Sequence, residues 1–377
     1  MHQISKLHAR RIWLAAQRLD VRAPFGDDPD ATRHAIEHLG YVQIDSINVI
    51  ERCHHHILYT RIPAYQRSHL HRAQATEKTV FEYWTHALSY VPVRDFRFFV
   101  GAMKRQRAAP DHWFGPATRP ELRRVLGLLR TEGALSIRDF DDEVLVEKEH
   151  PWASRKPSKR VLQHAFHAGE VTISARAGML KTYELTDRHF GWQSPPKAAT
   201  EPQILGYLLE RALRAQGLVS VDSICYLDAG RKSAMRRLVE ASVRRKDLVP
   251  VQITGAETVE HWAAPALLER DIHPDPELVH ILSPFDPLVI QRKRLRLLFD
   301  YEHRFEAYLP KEKRQFGYFA LPVLAGSEIV AVIDLKTDRQ QRRLLVQHWT
   351  WTGRGTARAH KKHVEAELHR FGQFQLS

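Results

Sequence analysis

The stretches EGALSIRDF (132–140) and QGLVSVDSI (216–224) decide the fold, because the same order of elements surrounds both. Ahead of the first lies an amphipathic helix between Arg119 and Arg130. Gly133 should end that helix, and Leu135, Ser136 and Ile137 should begin a short extended segment or a capped turn. A second helix is expected from Ser158 through SKRVLQHAFHAG (158–169), handed by Gly169 to the strand-like EVTISARAG (170–178) and LKTYELT (180–186). The order then returns: a helix from Pro202 to Ala215, the second stretch, a helix over RKSAMRRLVEASVRRK (231–246), and a strand over DLVPVQITG (247–255). Helix, small turn, helix and hairpin within roughly 60 to 70 residues is the arrangement of a winged helix-turn-helix, repeated.

The N-terminal part reads as a third, more divergent copy or a catalytic elaboration of one. A helix over 4–19 is followed by PDATRHAIEHLG (29–40), closed by Gly40, and then by GYVQIDSINVI (40–50), which reads as a buried strand. From Ala75 to Arg107 an aromatic segment leads into a further helix. After Leu278 the apolar period changes from 3.6 to 2: HRFEAYL (303–309), QFGYFALPVLAG (315–326) and SEIVAVIDLKTD (327–338) read as strands, with Ala325, Gly326 and Ser327 at a hairpin turn. A terminal helix is expected from Thr356 to Phe371. Proline-rich joints at Ala109-Pro110, Ser194-Pro195-Pro196 and Pro265 mark boundaries. The expectation is an α+β chain of three winged-helix units, 1–112, 113–195 and 196–277, with a C-terminal small β-barrel or sheet over 278–377.

Lys and Arg number 57 against 44 Asp and Glu, a net charge of +13 in 377 residues. That balance favours a polyanion, with nucleic acid the commonest such partner and an anionic membrane or acidic protein the alternatives. Two cysteines, Cys53 and Cys225, give no disulfide framework and no cysteine metal site, so a reducing, cytoplasmic setting is expected. No run approaches the roughly 18 uncharged apolar residues of a membrane span. The N-terminus is basic and amphipathic like a transit peptide, but Ile4, Leu7, Arg11, Leu14 and Arg18 also fit an ordinary first helix, the reading taken here.

The sharpest chemical feature is Gln43 and Asp45. Side chains alternate along a strand, so these two project from one face while Val42 and Ile44 point to the other. An ionised aspartate on an apolar strand either belongs to a satisfied polar network or faces a reacting centre. The alternative is that Asp45 and Ser46 cap a following helix. Basic residues cluster with the repeat: the 231–246 segment holds seven Lys or Arg against Glu240 alone, and Arg155, Lys156, Lys159 and Arg160 lead into the matching helix. Lys159, Arg160, Arg231, Lys232, Arg236 and Arg237 are therefore expected to contact DNA. Arg292, Lys293, Arg294 and Arg296 form another patch beside SPFDP (283–287), a phosphate clamp or an exposed helix face. His54, His55 and His56 raise a metal site, but consecutive side chains cannot converge on one ion from a helix or strand, and no carboxylate cluster stands beside them. Packing or DNA contact fits them better, and His54, His55 and Arg61 are expected at the DNA. Glu82 and His86 would share a face if helical and are expected to support the fold or the pocket. No Walker loop, no GxGxxG and no GxSxG occurs, and neither cofactor nor metal is expected.

The segments LGYVQIDSINVIERCHHHILYTRIPAY (39–65), FEYWTHALSYVP (81–92), LSPFDPLVIQRKRLRLLFDYEHRFEAYLP (282–310) and GYFALPVL with AVIDLKTDR (317–339) resemble the YcaQ/AlkZ family of winged-helix DNA glycosylases. The resemblance implies three tandem winged helices forming a C-shaped channel around DNA, a C-terminal β-domain, and removal of N-alkylated purines, including unhooking of interstrand crosslinks. It also implies a catalytic Gln-apolar-Asp motif, here Gln43-Ile44-Asp45, of the YcaQ branch. A monomer acting on alkylated or crosslinked duplex DNA is the expected working form. A winged-helix transcription regulator without catalysis is the alternative, and a histidine-dependent metal nuclease a third.

Overall fold

The computed structural model describes residues 2–109, 117–140, 156–352 and 356–377. Arg155, Pro110 and the boundary expected near residue 112 lie outside the described residues. Contacts divide the chain into two compact units, one of Met1–Gln66, His86–Leu88 and Leu205–Ser377, the other of Arg67–Thr85 and Ser89–Ile204.

In the second unit the expected helices, capped turn and hairpin form in order. Thr118 and Glu121 form a reciprocal capping box that starts the helix Arg119–Glu132, whose Val125, Leu126 and Leu129 turn inward. The short strand Leu135–Ser136 pairs Leu135 with Tyr183 of the hairpin Val171–Ala177 and Leu180–Leu185. Ser136 and Asp139 cap the next turn in the same reciprocal way. The helix Pro157–His167 presents Val161, Leu162, Ala165 and Phe166 to the core. Glu82, which would share a face with His86 only if helical, sits on the strand Val80–Trp84, where Arg176 grips its carboxylate at 2.5 and 2.6 Å and Gln74 donates to it at 3.0 Å. Its role is to hold this unit together.

The same devices recur in the first unit. The helix Glu201–Gln216 ends at Gly217, where a φ of +68° needs glycine and an added Cβ would lie 2.7 Å from Ile12. Val219 then bridges Trp262, as Leu135 does Tyr183, and Ser220 with Ser223 caps the turn Val221–Ile224. The helix Lys232–Arg244 and the strands Val249–Ile253 and His261–Ala263 follow. One expectation fails here. The helix expected over 4–19 runs Lys6–Ala16 instead, capped by Ser5, and Ile4 ends a strand, His2–Ile4, parallel to Val249–Ile253. Three residues carry too little periodicity to announce a strand whose partner lies so far along the chain.

The helix Ala31–Leu39 closes at Gly40 as expected. After residue 278 four antiparallel strands, Val279–Ile281, Ala320–Ala325, Glu328–Asp338 and Arg343–Trp351, pair in that order. The sheet is open and no barrel is closed. The expected strands over 303–309 and 315–319 are irregular because carboxylates replace ladder partners: Glu306 accepts the N–H groups of Gln315, Phe316 and Gly317, and Asp334 those of Tyr318 and Phe319. Arg343–Trp351 was not expected as a strand. The terminal helix runs Thr356–Leu376. Trp13, Leu14, Leu282, Leu288, Leu295 and Val332 belong to one core that joins the first helix to this sheet. Among the described residues no helix is long and apolar enough to cross a membrane.

Several histidines of this unit are buried neutral. Burial lowers His56, His261 and His280 from the ordinary 6.5 to about 4, and His303 to about 3. In the unfolded chain each would take up a proton near 6.5, so between pH 6.5 and 4 the unfolded state binds more protons and stability rises with pH. Each such histidine contributes a slope of about 1.4 kcal/mol per pH unit. The melting temperature should therefore fall steeply from pH 7 to pH 5; a flat profile over that range would contradict the buried, uncharged assignment.

Candidate active site and basic surfaces

The strand that carries Gln43 is only Val42–Gln43 long. Its pairing continues for one more bond, from the Ile44 N–H to the Leu88 carbonyl at 2.8 Å. There the chain leaves the ladder because Asp45 Oδ1 accepts the Ile47 N–H at 2.8 Å, an Asx turn that offers the backbone a local alternative. Asp45 thus neither stays in a strand nor caps a helix. The next helix, Cys53–Tyr59, has Arg52 at its N-cap with no side-chain bond. The turn leaves Asp45 half-buried, while Gln43 is 6% exposed.

Gln43 is held at both ends. Its backbone carbonyl accepts the Cys53 thiol at 3.0 Å, and its Oε1 lies 3.0 Å from His86 Nε2. Burial first, and the nearby Asp45 carboxylate second, push the Cys53 thiol well above its ordinary range, which keeps it a protonated donor. Tyr41 meets the His86 ring edge-on at a centroid distance of 5.0 Å, and Tyr226 does so at 5.4 Å. Arg211 lies over the Tyr41 ring at 5.6 Å. It also explains Gly40: at φ +79° a Cβ there would stand 2.4 Å from the Arg211 side chain. The loop after Asp45 is strapped from the C-terminal sheet. Thr337 N–H donates to the Val49 carbonyl at 2.9 Å, and Arg339 donates to Asn48 Oδ1 at 2.8 Å and to the Ile50 carbonyl. Nothing in the sequence announced this strap or the Gln43–His86 contact, because both join distant segments.

The basic residues expected at DNA fall into three groups. Arg61 is fully buried: it makes a bidentate pair with Asp286 at 2.7 and 3.1 Å and donates to the Gln17 and Ile57 carbonyls. Arg294 is 6% exposed, donates to the Leu218 carbonyl at 2.6 Å and stacks 4.4 Å over Trp13. These two corrections share a cause, since a guanidinium can satisfy buried carbonyls and rings as readily as a phosphate. His54 is likewise buried, its ring 4.3 Å from that of half-buried His55, which meets the Tyr65 hydroxyl at 2.6 Å. His56 lies 2.7 Å from the Ile281 carbonyl.

A second group, with Arg231 and Lys232 half-buried and Arg236 exposed, is paired. Arg231 bonds Asp228 at 2.5 Å, Lys232 bonds Asp222 at 2.6 Å and Arg236 bonds Glu260 at 2.8 Å. The helix Lys232–Arg244 is basic in sequence, but neighbouring turns return acids to it. Lys159, Arg237, Arg244, Arg292 and Lys293 form the third group, exposed on the surface, with Arg160 half-buried.

A family model described as DNA glycosylase AlkZ-like matches residues 36–374, nearly the whole chain. The chain belongs to this AlkZ-like family of DNA glycosylases. Among solved structures, the DNA glycosylase AlkZ of Streptomyces sahachiroi is similar with a TM-score of 0.63 at 15% identity, covering 99% of this chain and 97% of that one. At that identity the likeness is one of fold.

Proposed function

We propose that this chain is a monofunctional DNA glycosylase that hydrolyses the N-glycosidic bond of N-alkylated purines, N7-alkylguanine foremost, and unhooks interstrand crosslinks built on such bases. The observation that carries this reading is Asp45, a half-exposed carboxylate fixed by the Ile47 N–H two residues from an amide that is itself held in place. An N7-alkylguanine is already cationic and leaves without a strong general acid. One carboxylate suffices. As the bond lengthens the sugar becomes an oxocarbenium-like cation, which Asp45 stabilises while orienting or deprotonating the attacking water. Gln43 holds that water or the sugar by hydrogen bonds. The sequence from Leu7 to Glu77 contains no lysine, so no amine is near in sequence to form a Schiff base, and the product is an abasic site.

The working form in this reading is a monomer whose three winged-helix units, bounded near residues 112, 195 and 277, line a channel for the duplex. A crosslinked base is tethered to the opposite strand and cannot swing into a tight pocket, so an open channel suits it. The exposed, unbridged arginines are the expected phosphate contacts. Replacing Arg237 and Arg244 by alanine should weaken duplex binding and reduce the slope of log K against log salt by about 0.9 per lost contact, whereas Arg236→Ala, already committed to Glu260, should change it less. An unaltered slope in the Arg237/Arg244 variant would mean that this helix does not face phosphate.

The test of the function is incubation with mustard-crosslinked duplex, followed by assay for heat-labile abasic sites and for borohydride-trapped protein. Abasic sites without trapping are expected. Binding without release of base would favour a regulator, and loss of activity with chelator would favour a metal-dependent enzyme.

A further inference from the structure

We propose that His86 is a positioning residue for Gln43: its imidazole fixes the amide with Oε1 occupied, so that the NH2 end is the one left to donate to the substrate sugar or the attacking water. This rests on the glycosylase reading and names a part of the site that the Gln-apolar-Asp motif does not contain. The Nε2 to Oε1 distance is 3.0 Å. A carbonyl oxygen only accepts, so Nε2 carries the hydrogen. Burial, with the positive charge of Arg211 adding to it, lowers His86 to about 4, which leaves the ring neutral near pH 7, and the contact to Oε1 places its one hydrogen on Nε2. The ring cannot pivot freely, because Tyr41 and Tyr226 meet it edge-on, and Tyr226 is anchored by its hydroxyl to the Ile290 carbonyl at 3.0 Å. Without the imidazole the amide can rotate by half a turn and present its oxygen where a donor is needed. The ring and phosphodiester oxygens of a deoxyribose within duplex DNA only accept, so an amide oxygen facing them is the wrong polarity at the same position.

The test compares single-turnover release of 7-methylguanine from a duplex with one such lesion by wild type, Gln43→Ala, His86→Ala, the double variant and His86→Gln. His86→Ala should slow release by about tenfold to a hundredfold. It should leave duplex affinity unchanged and have no further effect once Gln43 is alanine. His86→Gln, whose amide can donate in place of Nε2–H, should recover part of the rate. Wild-type rate in His86→Ala, or the same loss in the Gln43→Ala background as in wild type, would overturn the proposal, since a merely structural histidine would slow both alike. The nitrogen-15 shifts of His86 in the unliganded protein read the tautomer without any activity, and Nδ1–H would overturn it too. A wild type that released no base would instead remove the glycosylase reading, while the tautomer would still report on the contact.

Discussion

Replacing Asp45 by asparagine should reduce release of N7-alkylguanine by about a thousandfold or more, which corresponds to roughly 4 kcal/mol of transition-state stabilisation. Duplex affinity should stay near that of wild type. The substitution is informative because asparagine keeps the oxygen that accepts the Ile47 N–H, so the Asx turn and the loop behind it survive. What is lost is the negative charge facing a developing sugar cation. An alanine would remove both the charge and the turn and could not separate them. Single-turnover rates on a defined lesion, with a binding isotherm for the same duplex, give the two quantities. Retention of most activity would take Asp45 out of the mechanism.

The second large effect concerns stability. Arg61 and Asp286 are both fully buried and joined by two bonds of 2.7 and 3.1 Å, and Arg61 also ties the carbonyls of Gln17 and Ile57. Removing one partner of such a pair leaves an uncompensated buried charge, at about 3 to 5 kcal/mol. Arg61→Met and Asp286→Asn should each lower the urea midpoint accordingly, and the double apolar variant Arg61→Met/Asp286→Leu should be less damaged than the single changes suggest. Asp286 also accepts the Leu288 N–H at 2.9 Å, a bond that an asparagine oxygen keeps and a leucine loses, so only the double variant also frays the turn Pro287–Ile290. A single variant destabilised by less than about 1 kcal/mol would contradict this description. The same experiment separates Arg61 from the phosphate-contacting arginines. Loss of DNA binding in Arg61→Met should track the folded fraction, whereas loss in Arg237→Ala should track salt.

Much of the architecture could be read before any coordinates. The helix ends at Gly40, Gly133 and Gly217, the capped turns at Ser136 and Ser220, and the hairpin after Gly169 all follow from local chemistry. What escaped is what depends on distant partners. Asp286 stands 225 residues from Arg61, and no property of Arg61 in sequence says whether it will meet a carboxylate inside or a phosphate outside. The 231–246 helix looked uniformly basic because its acids, Asp222 and Glu260, come from flanking turns. At the candidate site the motif was legible but its backbone was not. Alternation placed Gln43 and Asp45 on one face of a strand, and the Asx turn instead takes Asp45 out of the strand one residue after its last ladder bond. His86 was legible only as a supporting residue; the Gln43 contact needed the fold.

The central claim is that Asp45 and Gln43 cut a glycosidic bond and nothing else. It is tested most directly by incubating wild-type protein with a duplex that carries one 7-methylguanine, then weighing both products by mass spectrometry. Free 7-methylguanine and an unbroken strand with one abasic site, in equal amounts and lost together in Asp45→Asn, are the result expected here. Tight binding with the lesion left intact, or a cleaved strand with no free base, would contradict it.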